Sequence, residues 1–161
     1  MPRNLVIAFS ALAFGALSQP APAGQKISFD GIQYYAAHLK NTQLEPGHTY
    51  SLLEEWRGIH SSKDAANPAN RTRLECTGYF DARADGSFSA EGYCSHWDLD
   101  GDLWVGHWWN NSKMPVGRYE MFAGEGKYAG ASGGGTAKCT NLKPSADPQV
   151  VCEITGTIEL K

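Results

Sequence analysis

Four cysteines constrain what this 161-residue chain can fold into more than any other feature. Cys76 and Cys94 are placed symmetrically about Asp85-Gly86, a dipeptide that signals a hairpin turn. The runs on either side, Arg73–Asp81 and Ser87–His96, read as strands. Folding that hairpin about position 85 sets Cys76 against Cys94. Cys139 and Cys152 are likewise symmetric about Lys143–Pro148, a loop with a proline at Pro144 and another at Pro148. They face each other across a second hairpin. Of the three connectivities that four cysteines allow, the spacing selects Cys76–Cys94 and Cys139–Cys152. A metal site is not expected, because the cysteines show neither C-x-x-C nor close Cys/His spacing.

Disulfides need an oxidising compartment, and the N-terminus supplies the reason to expect one. Met1–Asn4 carries one positive charge, on Arg3, and Leu5–Leu17 is an uncharged apolar run. Ala21-Pro22-Ala23 then matches the small-residue pattern of a signal-peptidase site. The sequence therefore predicts a cleaved signal peptide over residues 1–23 and a single domain over 24–161. It is expected to be exported, to the periplasm or outside the cell. No later run is long and apolar enough to span a membrane as a helix. The net charge is −3 with no basic cluster, which argues against a nucleic-acid partner.

The rest of the chain reads as strands and turns. In Val150–Leu160, Cys152, Ile154, Gly156, Ile158 and Leu160 alternate with Glu153, Thr155, Thr157 and Glu159, the signature of a half-buried strand. Thr49–Ile59, Leu103–Trp109, Arg118–Ala123 and Gly134–Thr140 complete seven strands. Lys26–Phe29 suggests a short extra strand, while Gly31–Leu39 reads equally as a strand or a short helix. Ser61–Asn70 is expected to be an exposed loop. Short strands joined as consecutive hairpins point to an all-β, antiparallel up-and-down barrel of about eight strands, with closure removing the edges. The disulfide register puts Leu74, Cys76, Gly78 and Phe80 on one face with Phe88, Ala90, Gly92, Cys94 and His96. That face is the core.

Two stretches could carry chemistry. In Cys94–Trp109, a two-residue Asp100-Gly101 turn would put His96 and His107 on the same sheet face, as polar anchors or acid/base groups in a cavity. Trp97, Trp104, Trp108 and Trp109 crowd this hairpin, as barrel packing or as a stacking surface for a planar or sugar-like ligand. Glu120 lies on the next strand, where the opposite strand phase would make it a cavity group. We take His96, His107, Trp97, Trp104, Trp109 and Glu120 as the candidate ligand-binding set. Asp98, Asp100 and Asp102 surround one glycine, but a calcium loop also needs a distal glutamate and flanking helices. A polar turn is the better reading.

The second stretch is Gly124–Thr136, with the pattern G-x-G-K-Y-x-G-x-x-G-x-G-T. It lacks the lysine-serine/threonine ending of a phosphate loop and the strand-helix setting of a dinucleotide loop, so no cofactor is expected. With the strand Cys152–Ile158 behind it, this pattern resembles small exported bacterial proteins. More distantly, it is similar to the glycine-rich segment of allene-oxide-cyclase-like and dirigent-like barrels of calycin type. The resemblance spans about the last third of the chain and implies an eight-stranded barrel with a central cavity. It carries no catalytic residue across. The chain is thus read as a barrel holding a small apolar or aromatic molecule and as more a binder than an enzyme. The alternatives are an isomerase or cyclase using the same cavity, and an envelope interaction protein with a filled interior. The residues do not specify the ligand or the oligomeric state.

Overall fold

The hairpins predicted from the cysteines join into one closed sheet. The computed structural model describes residues 24–142 and 149–161. The expected signal peptide and the Lys143–Pro148 loop lie outside the described residues. Among the described residues nine strands follow one another: β1 (Lys26–Ser28), β2 (Gly31–Glu45), β3 (His48–Ser62), β4 (Thr72–Ala82), β5 (Phe88–Trp97), β6 (Leu103–Asn111), β7 (Gly117–Gly124), β8 (Ser132–Leu142) and β9 (Gln149–Glu159). From β2 to β9 each pairs antiparallel with the next, and β9 returns to pair with β2. The result is an eight-stranded up-and-down barrel.

The short β1 is the lower end of the first barrel strand. Lys26 pairs with Glu159 and Gly31 with Ile154, so β1 and β2 run along β9 in a single register. The ladder breaks only at Phe29 and Asp30. There the Phe29 N–H donates to Gly156 O at 2.8 Å, and the Gly156 N–H donates to Asp30 Oδ1 at 3.0 Å. Phe29 keeps the inward phase of Ile27 and Gly31 and is buried in the barrel. Gly31–Leu39, left open between strand and helix, is part of a 15-residue strand.

Ser61–Asn70 is mostly exposed, as expected, apart from Ala69, while Ser61 and Ser62 end β3. Its last part packs across one end of the barrel. Ala69 is fully buried and its carbonyl accepts from Thr72 Oγ1 at 2.6 Å, while Asn67 Nδ2 donates to Ser28 O at 2.7 Å. Buried backbone polar groups need such partners, so an alanine-bearing loop can close the barrel only when these bonds are made. Ile27, Phe29, Leu74, Trp104, Tyr128, Ile158 and Leu160 fill this end as a floor.

Both disulfides form as predicted, Cys76–Cys94 between β4 and β5 and Cys139–Cys152 between β8 and β9. Each joins residues directly opposed in the ladder. The bridges close loops with sequence separations of 18 and 13. Replacing Cys76 and Cys94 together by alanine is expected to cost about 3 kcal/mol, mainly by freeing the unfolded chain. Urea melts should show a lower midpoint and retained β-sheet circular dichroism; a chain that no longer folds would contradict this.

No helix among the described residues is long and apolar enough to cross a membrane.

Candidate ligand cavity

Above the floor the barrel is not filled. A cavity of about 520 Å³ runs up from Phe29, His96 and Trp104 to a mouth bordered by Leu39, Asn110 and Asn141. The inward phase of each strand makes its wall. Ala37, Leu53, Trp56, Phe80, Trp108, Val150 and Ile154 supply apolar surface, and both disulfides contribute sulfur-bearing residues.

Glycines decide the shape of this wall. Gly78 and Gly92 are directly opposed, and a Cβ on either would come within 2.7 Å of the Trp108 ring. Gly135 and Gly156 are opposed in the same way, beneath the Tyr119 hydroxyl. Each pair is a flat seat on which a large ring lies against the backbone. This accounts for part of the glycine-rich segment: Gly135 makes room for a cavity side chain. Gly126 and Lys127 do not line the cavity. Lys127 Nζ lies 2.7 Å from Asp98 Oδ2 and 2.8 Å from Asp100 Oδ2, so the aspartates of the β5–β6 turn are met by a lysine.

Four polar side chains reach the cavity from the inward phase of the strands at depth: Gln33, Tyr35, His96 and Tyr119. The Tyr35 hydroxyl donates to Gln33 Oε1. Burial raises the Tyr35 pKa, with Tyr119 a smaller cause, and burial likewise raises that of Tyr119, with Asp30 adding to it. Both phenols therefore stay protonated, and the Tyr119 hydroxyl is occluded, with no hydrogen-bond partner among the described residues. His96 lies face to face on Trp104, with ring centres 3.5 Å apart. Burial holds its pKa well below 6.5, with neighbouring His60 adding to the effect, so the ring is neutral. His60 is fully buried behind it, stacked on Phe29 at 4.2 Å.

The candidate set from the sequence divides between the two faces. His96 and Trp104 line the cavity. His107, expected on the same face as His96, is on the outside. The turn is longer than the assumed two residues: Trp97 pairs with Leu103, and residues 98–102 lie between them. His96 therefore pairs with Trp104, and His107 with outward-facing Tyr93. His107 Nε2 lies 2.8 Å from Glu91 Oε1 and its Nδ1 3.7 Å from Glu120 Oε1, so Glu120 is outside too. Trp97 is also outside, beneath the Arg73 guanidinium at 4.3 Å. Trp109 stacks on His107 and meets the cavity at its mouth. Gln33, Tyr35 and Tyr119 were not singled out from sequence.

With the geometry in place, comparison with known proteins is informative about the fold alone. No protein-family model matches the chain, and no curated protein matches it. Among solved structures, it is similar to the pterocarpan synthase dirigent protein GePTS1. The TM-score is 0.55 at 10% identity, over 86% of this chain and 93% of that one. It is also similar to the pterocarpan synthase dirigent protein PsPTS1, with a TM-score of 0.50 at 10% identity, over 89% and 99% of the two chains. The fold is a dirigent-like barrel.

Proposed function

We propose that this chain is an exported barrel that binds a small apolar or aromatic molecule in its interior. The cavity carries the reading. A space of about 520 Å³ lies in the usual range for small-molecule pockets, and its wall is mostly aromatic and aliphatic with a few polar groups at depth. A filled interior, as an interaction protein without a ligand would have, does not fit this space. An isomerase using paired histidines has less support, because His107 and Glu120 face away from the cavity and no Asp or Glu among the described residues lines it. Export is supported by the signal-like N-terminus and by the two disulfides.

The test is native mass spectrometry of the protein purified from its own host. The expected result is a bound species of small mass that is released on denaturation, together with a mature chain beginning near Gly24. A ligand-free protein whose tryptophan fluorescence is unchanged by 2-acetylnaphthalene at its solubility limit would overturn the reading.

A further inference from the structure

The cavity's polar groups restrict its ligand further, a step that rests on the proposal that the cavity binds a small molecule. Gln33 is 4% exposed, yet it lines the cavity. Its carbonyl oxygen is taken by the Tyr35 hydroxyl, which fixes the amide with its nitrogen turned the other way. That nitrogen has no hydrogen-bond partner among the described residues. Unlike the indole nitrogens of Trp56 and Trp108, it is not among the occluded atoms, so it keeps surface toward the cavity. A primary amide whose oxygen is engaged presents only donors. A buried donor without a partner costs free energy, and a ligand acceptor would recover it.

The second constraint is charge. No Lys, Asp or Glu among the described residues lines the cavity, and Arg118, which touches its mouth, is exposed and falls on the outward phase of β7. An ion placed at depth would lose its hydration without a counter-charge. Among the polar groups at depth, the neutral imidazole of His96 can also hydrogen-bond an uncharged molecule through Nε2, whereas its Nδ1 and the Tyr119 hydroxyl are occluded.

We infer that the cavity selects a neutral, planar, carbonyl-bearing molecule whose oxygen accepts from the Gln33 amide at depth while its apolar body lies against Trp56 and Trp108. The two indoles meet edge to face, with ring centres 5.7 Å apart, and so offer a corner rather than a parallel slot. The carbonyl end enters first and the apolar end is left toward the mouth.

Three probes of one size test this on the full mature protein by tryptophan fluorescence: 2-acetylnaphthalene, 2-ethylnaphthalene and 2-naphthoate. The naphthoate is expected to bind at least 10-fold more weakly than the ketone. Gln33→Leu should lower the ratio of ketone to ethyl affinity by about 3- to 10-fold, the weight of one hydrogen bond, while leaving 2-ethylnaphthalene affinity within about 2-fold. Comparing ratios cancels the different cost of desolvating each probe. Tyr35→Phe, which keeps the volume but releases the amide, should lower the same ratio in part, and it serves if Gln33→Leu fails to fold. Equal binding of naphthoate and ketone, or a ratio unchanged in these variants, overturns the inference and leaves cavity binding intact. Failure of both neutral probes to bind overturns cavity binding itself.

Discussion

Lowering the pH from 7 to 4 is expected to remove about 3 kcal/mol of stability through His60 alone. His60 is fully buried, and neither ring nitrogen has a hydrogen-bond partner among the described residues. Burial lowers its pKa from 6.5 to about 4, against a smaller opposing pull from Asp30. The unfolded chain therefore takes up the proton first. The contribution is complete above pH 6.5 and is lost as the pH falls through 6.5 toward 4. His96, whose pKa is also lowered chiefly by burial, acts with the same sign. Against a typical total of about 5–15 kcal/mol, the loss is large. Urea melts at pH 7, 5.5 and 4.5 should show a falling midpoint, and His60→Leu should flatten the fall. An unchanged pH slope in that variant would show that His60 is not the group responsible.

Trp104→Ala is expected to cost about 3–5 kcal/mol, the range for emptying a buried aromatic site. Trp104 is 1% exposed, faces His96 at 3.5 Å and meets Phe29 edge-on at 4.9 Å. Its ring also occupies the space beside Gly106, where a Cβ would come within 2.9 Å of it. Removing it takes away a floor residue that touches both Phe29 and His96, and rigid strand pairing leaves little room to collapse. Trp97→Ala, next along the chain from His96 but outside and under Arg73, should cost no more than about 1 kcal/mol. Urea midpoints of the two variants test the division into inner and outer tryptophans. Equal losses would contradict it.

The contrast between those two tryptophans also shows what was legible in the sequence. Cys76 and Cys94 carry their own register, because a bridge across a hairpin fixes which residues oppose each other. From it the inward set on β4 and β5, His96 included, follows. Alternation on β9 did the same for Ile154 and Ile158. The β5–β6 hairpin had no such marker. Asp98–Asp102 holds a glycine and three aspartates, and Asp98 Oδ1 accepts from the backbone N–H of Asp100 and of Asp102, which stabilises a turn longer than two residues. The resulting one-residue change in pairing register moves His107 to the other face. On β2 the difficulty was different. Inward Gln33, Tyr35 and Ala37 alternate with outward Ile32, Tyr34 and Ala36, so neither phase is clearly apolar. The polarity of the cavity is itself what obscured the strand that supplies Gln33 and Tyr35. The glycine-rich segment pointed correctly to a barrel, but its link to Tyr119 depends on Gly135 and Gly156 being opposed, which only the register reveals.

Methyl chemical shifts under titration with 2-acetylnaphthalene test the central claim most directly, because neighbouring residues on one strand report opposite faces. Ala37, Leu53, Val150 and Ile154 line the cavity, whereas Ile59 lies exposed on the outside of β3. Shifts at those four residues are expected with Ile59 unmoved, saturating together as the probe fills the barrel. Shifts confined to the outer methyls, or none at any probe concentration, would contradict it.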